Sequence, residues 1–141
     1  MARDPLPVLL RLRRLAQDAA QHELGEGVRA EFAAAVRLSD LDLTLEQETA
    51  AVAGVADADL LRAAYPTWLA HARRVRRDAQ AALDAATERT VALRLQLADA
   101  RAATRVVEAL QARHAAVRAA GEARREQRVL DEAGQRRNGS G

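Results

Sequence analysis

The 141 residues suffice for one ordinary domain or one extended element, which excludes an enzyme built from two lobes. The chain has no Cys, and its only aromatic residues are Phe32, Tyr65 and Trp68, so it lacks disulfides and the bulky side chains of a globular core. All 22 basic residues are Arg, and 20 acidic residues offset them, so the formal net charge is only +2 despite a pI near 10.2. The abundance of Ala, Leu, Glu and Arg predicts an all-α coiled coil.

The first predicted element is a helix over about residues 6–52; Pro5 and Pro7 lie at its start, and the next Pro in the chain is Pro66. Gly25 and Gly27 lie inside it, and each costs roughly 1 kcal/mol relative to Ala, so we expect a bend or a weak point there. The apolar residues form two stripes. The first runs largely in steps of four and consists of Leu9, Leu12, Ala16, Ala20, Leu24, Val28, Phe32 and Ala35. The second consists of Leu38, Leu41 and Leu45.

The chain is predicted to reverse direction at about residues 53–66. This segment contains Gly54, Asp57 and Asp59, which favour turns and helix caps, and ends at Pro66. Pro66 fits either a kink or the first turn of the next helix, and the sequence does not choose between them.

The second predicted helix spans about residues 67–133 and has the clearest periodicity. Its seam alternates steps of three and four, as in a coiled coil, at Leu83, Ala86, Thr90, Leu93, Leu97, Ala100, Thr104 and Val107. The phase then slips by one residue, and Leu110, His114 and Val117 are expected to continue the stripe. We therefore predict an antiparallel coiled-coil hairpin over residues 1–135, with a disordered tail at 136–141.

The second helix is longer than the first, so roughly 20 of its residues, from near Arg113, are expected to project without a partner helix. The charges divide along the chain as well. Residues 1–62 carry 7 Arg and 11 acidic residues, whereas residues 63–141 carry 15 Arg and 9 acidic residues. An acidic helix paired with a basic one favours the hairpin and leaves an Arg-rich projecting end.

The residues needed for catalysis or metal binding are not grouped in the sequence. His22, His71 and His114 lie far apart with no second ligand at suitable spacing. The chain has no glycine-rich phosphate loop, and Ser39 and Ser140 have no nucleophile motif around them. We therefore expect neither an enzyme nor a metal or other cofactor.

Three features suggest contact with partners. Tyr65 and Trp68 lie at the predicted tip, where the rings either fill the gap between diverging helices or anchor a partner. The Arg73-Arg74 and Arg76-Arg77 pairs are best explained as a solvated face, because Asp78 and Asp84 follow and no aromatics interleave, although an acidic partner or a phosphate backbone is the alternative. For the segment from Arg124 to Arg128, docking into a partner is favoured over disorder, because helix-forming residues continue to Ala133.

The order of motifs resembles that of the FliJ family of flagellar type III export proteins. The resemblance rests on the start Leu9-Leu10-Arg11-Leu12-Arg13, an Ala-Gln-His-Glu-Leu segment, a break near residue 55, an aromatic start to the second helix, and the ending Glu126-Gln127-Arg128-Val129-Leu130-Asp131-Glu132. It implies a two-helix coiled coil, similar to the central stalk of rotary ATPases, that inserts both termini into the hexameric export ATPase. It also implies links to the export gate protein in the membrane and to export chaperones.

Site residues follow from the resemblance by position. The gate-binding residues are Tyr65, Trp68 and Leu69. The ATPase-binding residues are Leu9, Leu12, Arg13, Arg124, Arg125, Arg128, Leu130, Asp131 and Glu132. The implied function is that of a non-enzymatic stalk and adaptor in flagellum biogenesis and motility, although the sequence does not distinguish a flagellum from a related injection system.

Because the chain contains no signal-peptide pattern and no long uncharged run, we expect a cytoplasmic protein that is peripheral to the cell membrane through its partners. Two alternatives from other classes stay open. One is an Arg-rich coiled coil that binds nucleic acid, although the near-neutral net charge leads us to expect no nucleic-acid partner. The other is an amphipathic helical protein that coats a lipid or polymer surface.

Overall fold

The computed structural model describes residues 3–55 and 59–140, apart from the side chain of Leu61, and these residues form two α-helices. Helix α1 spans Leu6–Ala53 (48 residues) and helix α2 spans Asp59–Asn138 (80 residues). The described part of the chain contains no strand, and the two helices pack against each other as a helical hairpin. The predicted all-α fold with a longer second helix is thus confirmed.

Helix α1 begins with a side-chain cap. The amide of Leu6 donates a hydrogen bond to Oδ1 of Asp4 at 3.0 Å, and the amide of Leu9 donates to the carbonyl of Pro5 at 3.0 Å. These bonds satisfy amides that have no partner inside the first helical turn. The helix then continues unbroken through Gly25 and Gly27.

Helix α2 is longer at both ends than the sequence predicts. It begins at Asp59 rather than near Thr67 and contains Pro66, although an interior proline removes one backbone hydrogen bond and crowds the preceding turn. It ends at Asn138 rather than Ala133, so part of the tail expected to be disordered is helical. Arg136 and Arg137 lie in its last turn, where cations stabilise the helix dipole. Residues 56–58, which include Asp57 of the expected turn, lie outside the described residues.

The packing divides the chain into two compact units. Unit 1 consists of Met1–Gln17 and Asp99–Gly141, and unit 2 consists of Asp18–Ala98. Each unit therefore contains a part of α1 and a part of α2, and each is described by itself below.

The seam of α2 follows the predicted heptad stripe. From Leu83 to Val107 every predicted seam residue is buried or half-buried, and the alternation of three and four extends further, back to Tyr65 and forward to Gln111. These are the a and d positions of the heptads. The predicted phase slip is wrong, because Leu110, His114 and Val117 are exposed.

The seam of α1 differs from its predicted stripe. Leu12, Ala16, Val28, Phe32 and Ala35 are exposed, and Phe32 is 71% accessible to solvent. The a and d positions are instead occupied by Leu6, Leu10, Arg13, Gln17, Ala20, Leu24, Gly27, Glu31, Ala34, Leu38, Leu41, Leu45, Glu48 and Val52. The prediction is right for Ala20 and Leu24 and for the whole second stripe of Leu38, Leu41 and Leu45, which are half-buried. It is wrong elsewhere, because polar residues and a glycine occupy seam positions that apolar periodicity does not detect.

The tightest contact of unit 2 is made by Gly27, Thr90 and Leu93. A Cβ atom at Gly27 would lie 2.5 Å from Cδ1 of Leu93, so the glycine allows a close approach of the two helices. Thr90 is only 1% exposed, and its hydroxyl donates to the carbonyl of Ala86 at 3.0 Å and lies 3.4 Å from the carbonyl of Gly27. The buried polar group is thereby satisfied.

Polar pairs fix the antiparallel direction of unit 2. The Thr87 hydroxyl donates to Oε1 of Glu31 at 3.2 Å. Further along α1, the Arg76 guanidinium donates twice to Asp42, with Nη2 3.3 Å from Oδ2. The pKa of Arg76 is raised above its ordinary value, first by this hydrogen bonding and then by the attraction of the Asp42 charge.

Unit 1 has a small core at the start of α1. Leu6, Leu10 and Val107 are buried together, and Leu9 packs against them. Arg14 and Glu108 form an exposed ion pair at 3.5 Å beside this core. Beyond Gln111, every described residue except Gly121 is exposed.

The two glycines of α1 predict opposite effects of the same substitution. Gly25→Ala should raise the free energy of unfolding by up to about 1 kcal/mol, because Ala favours the helix and its Cβ meets nothing within 4 Å. In Gly27→Ala the overpacking against Leu93 should cost about 1–3 kcal/mol and cancel or reverse that gain. Urea unfolding followed by circular dichroism measures both, and equal stabilisation by the two variants would contradict the close approach at Gly27.

Candidate partner-binding surfaces

Unit 2 contains an apolar groove beside Tyr65 and Trp68. The ring centroids lie 5.5 Å apart with planes tilted by 30°, so the two rings contact each other. The groove measures about 350 Å³ and is lined by Glu48, Ala51, Val52, Ala64, Tyr65 and Trp68. We call it the aromatic groove.

The heptad positions explain why the groove is open. Tyr65 and Val52 occupy seam positions, while Ala51 and Ala64 flank them with side chains too small to cover the rings. Tyr65 and Trp68 are both half-buried, so each ring packs on one side and remains accessible on another. Leu69, which was predicted with them, lies at a seam position, is half-buried, and is not among the residues that line the groove.

The groove has an acidic wall that the sequence analysis missed. Glu48 is its only charged lining residue. Between Arg37 and Ala53, α1 carries Asp40, Asp42, Glu46 and Glu48 and no basic residue, and of these Asp42 is bound to Arg76. The signal in the sequence is that Glu48 occupies a seam position, which brings a charge next to an otherwise apolar surface.

The predicted ATPase-facing residues at the start of α1 lie in unit 1. Leu9 is half-buried against the Leu6, Leu10 and Val107 core, whereas Leu12 and Arg13 are exposed. Leu12 and Arg13 are therefore accessible to a partner, whereas Leu9 packs against the core.

The predicted residues near the end of α2 are all exposed. We call residues 124–132 the terminal segment; in it Arg125, Glu126, Val129 and Leu130 line a shallow depression. Gln127 donates to Asp131 at 3.0 Å, and Val129 and Leu130 are 64% and 66% accessible. This segment is not brought together with the start of α1, since Val107 and Arg124 are about 25 Å apart along α2 at 1.5 Å per residue.

The two units carry opposite net charges. Unit 1 has 13 Arg against 7 acidic residues, and unit 2 has 9 Arg against 13 acidic residues. The small net charge of the whole chain therefore conceals one basic and one acidic unit. Their surfaces favour partners of different charge.

The Arg73 to Arg77 run does not form a single basic patch. Arg73, Arg74 and Arg77 are exposed, whereas Arg76 is half-buried and bound to Asp42. One of the four guanidinium groups is thus used to join the helices.

His22 contacts Glu26 at 3.3 Å on the surface of α1. Residues 3–55 and 59–140 contain no group of three or more His, Asp or Glu residues that could hold a metal ion. In the same residues, neither helix contains a stretch that is both long and apolar enough to cross a membrane.

Comparison with known proteins gives a family match over almost the whole chain. The family model described as Flagellar FliJ protein matches residues 1–140. No curated protein and no solved structure matches. The family match confirms the resemblance drawn from the order of motifs.

Proposed function

Because the chain belongs to the FliJ family of flagellar proteins, we propose that it is a non-enzymatic stalk and adaptor of flagellar protein export. A role related to flagellar export follows from the family. We propose further that one surface holds the export ATPase and another holds the export gate at the inner face of the membrane, with export chaperones as additional partners. The observation that supports this division is the opposite charge of two units that expose different surfaces.

The proposed ATPase contact is made by unit 1. Both chain ends belong to this unit, and it carries the excess of Arg. Arg124, Arg125 and Arg128 are exposed on the same segment of α2 as Leu130, Asp131 and Glu132, and Leu12 and Arg13 are exposed on α1. Such a surface suits a partner cavity that is apolar inside and bordered by acidic residues. The apolar contacts would supply affinity, and the charges would set the orientation.

The proposed gate contact is made by the aromatic groove of unit 2. Tyr65 and Trp68 supply large rigid surfaces, and aromatic residues of this kind often dominate the free energy of an interface. Glu48 adds a single negative charge at the wall. The groove therefore suits a short segment with an apolar side chain for the rings and a basic side chain for Glu48.

The family match favours export over the two alternative functions. Nucleic-acid binding would require a continuous basic surface, but Arg76 is bound to Asp42 and unit 2 is acidic overall. Coating of a polymer or lipid surface has no support from the family.

Charge reversal in the terminal segment should weaken the ATPase contact. We expect the wild-type protein to raise hexamer formation and ATP hydrolysis by a flagellar export ATPase, and Arg124→Glu combined with Arg125→Glu and Arg128→Glu to reduce its apparent affinity at least tenfold, or about 1.4 kcal/mol. The matched control is the triple reversal of Arg73, Arg74 and Arg77 to Glu, which changes the same charge on exposed residues of unit 2. An equal loss of affinity in both triple variants would mean that only net charge matters. If the wild-type protein changed neither hexamer formation nor ATP hydrolysis, the ATPase role would be rejected.

Removal of the Trp68 ring should abolish the gate contact without unfolding the hairpin. Trp68→Ala is expected to lose binding to the cytoplasmic part of the gate at least tenfold and to abolish motility, because the ring is an anchor beside the seam rather than part of it. Phe32→Ala is the control, since Phe32 is an aromatic residue exposed elsewhere in unit 2. Trp68 is the only Trp, so its fluorescence should report binding directly in the wild type.

A large fall in melting temperature for Trp68→Ala would instead mean that the Tyr65 and Trp68 rings serve only to pack the helices together. Glu48→Gln refines the test, because it removes the charge of the groove wall and leaves the rings in place. It should weaken gate binding by a smaller factor and make the remaining binding less sensitive to salt.

A further inference from the structure

Within unit 2, helix α1 carries exposed apolar residues on the side of the helix away from the seam. Four large side chains there are between 41% and 71% accessible, namely Val28, Phe32, Val36 and Leu43. Ala35 and Ser39 lie among them and are exposed as well. We call these six residues the outer face.

The six residues share one side of α1. With a and d at the seam, they occupy positions e, b and f, which adjoin one another on the helical wheel. At about 100° per residue, all six fall within an arc of about 100°. This is the width of the apolar stripe that an ordinary helix buries, yet here the stripe is open to solvent.

The outer face contains little charge, and its edge contains one charge of each sign. Between Gly25 and Leu41, positions e, b and f of α1 carry a single charged residue, Arg29 at f. Asp40 occupies the adjoining position c, and it lines a depression of about 480 Å³ together with Phe32 and Val36.

Arg29 and Asp40 cannot pair with each other inside one copy. They are eleven residues apart, which is about three helical turns and about 16 Å along α1. Both side chains are exposed, and neither forms an ion pair with any residue that the structure describes. They lie along the same edge of the outer face, because f and c are neighbouring positions on the wheel.

Their spacing is complementary to a second copy in the antiparallel direction. A twofold axis across α1 between residues 34 and 35 brings residue 29 of each copy to the level of residue 40 of the other, on the same edge. Two ion pairs of opposite sign then form, one on each side of the axis. Charges arranged in this way set the register and direction of paired helices.

The same register brings the large apolar side chains together. Phe32 of one copy lies within one residue of the level of Val36 of the second copy, or about 1.5 Å along the helix. Val28 lies within two residues of the level of Leu43 of the second copy. The charges and the apolar residues thus specify one and the same register.

We infer that two copies of this chain associate through the outer faces of α1, antiparallel and in this register. At the exposures measured, the four large side chains present roughly 350 Å², and Ala35 and Ser39 add about 100 Å². Two copies therefore bury roughly 900 Å² in total, which is in the range below about 1,200 Å² that is typical of transient interfaces. The dimer should be weak, with a dissociation constant on the order of tens of micromolar.

The inference goes beyond the proposed function and does not depend on it. No residue of the outer face lines the aromatic groove, and none belongs to the proposed ATPase contact in unit 1. A dimer formed in this way leaves both proposed partner surfaces open, so it would present two copies of each.

Analytical ultracentrifugation of the full chain alone tests the association. The mass should be near 15.3 kDa at about 2 µM and should rise toward twice that value at about 300 µM. Phe32→Ala should weaken association at least tenfold, because it removes the side chain at the centre of the contact. The matched control is Leu95→Ala, which removes a large side chain exposed by 63% elsewhere in unit 2 and should leave the dimer intact.

Charge reversal tests the register and the identity of the second molecule. Arg29→Glu alone and Asp40→Arg alone should each weaken association about fivefold or more, because each variant turns two attractive pairs into two repulsive ones. An equimolar mixture of the two variants should associate as the wild type does, because residues 29 and 40 then attract each other at both ends of the contact. Circular dichroism should show that every variant remains helical.

Three results would overturn the inference. The first is a wild-type mass of 15.3 kDa at every concentration. The second is equal weakening of association by Phe32→Ala and Leu95→Ala. The third is a mixture of Arg29→Glu and Asp40→Arg that associates no better than either variant alone.

Discussion

The fold depends on the close approach of two helices along a seam in which small and polar residues interrupt the large apolar ones. In unit 2, Gly27 leaves space for Leu93, and Thr90 lies buried at the same place with its hydroxyl bonded to backbone carbonyls. The small residues allow the approach, and the polar residues are tolerated because they are paired, as in the bond between Arg76 and Asp42. Such a seam buries little apolar area in each layer, so the antiparallel register is specified by shape and pairing as much as by hydrophobic burial.

A thin seam also determines what the protein exposes. Two helices cover only a narrow stripe of each other, and large aliphatic and aromatic residues that lie off the seam, such as Leu12, Phe32 and Leu95, remain accessible. In the proposed adaptor role, some of these residues, such as Leu12, are available to contact a partner. The separation of charge adds selectivity, because unit 1 is basic and unit 2 is acidic although the whole chain is nearly neutral.

Much of this arrangement can be predicted from the sequence. The helices, the hairpin and the seam of α2 follow from composition, from the positions of Gly and Pro and from heptad spacing, because α2 keeps apolar or small residues at nearly every seam position. The seam of α1 could be found only in part, as at Leu38, Leu41 and Leu45, since Gln17, Gly27 and Glu31 occupy positions that apolar periodicity assigns to solvent. The aromatic pair was evident from composition, but its groove was not, because Glu48, Ala51 and Val52 join the rings only through the register of the two helices. The terminal segment was recognisable from its charges. Its distance from the start of α1 could not be predicted, because it depends on the pairing of Leu6 and Leu10 with Val107.

In the proposed function, different surfaces of one hairpin bind different partners, unit 1 the export ATPase and unit 2 the export gate. The chain has no Cys, so a photoactivatable cross-linker attached to one introduced Cys reports from one place. Ala123→Cys, beside the terminal segment, and Ala64→Cys, at the aromatic groove, should be compared in a mixture of both partners. The account predicts cross-links from position 123 to the ATPase alone and from position 64 to the gate alone. Cross-links from both positions to the same partner, or the reverse assignment, would contradict it.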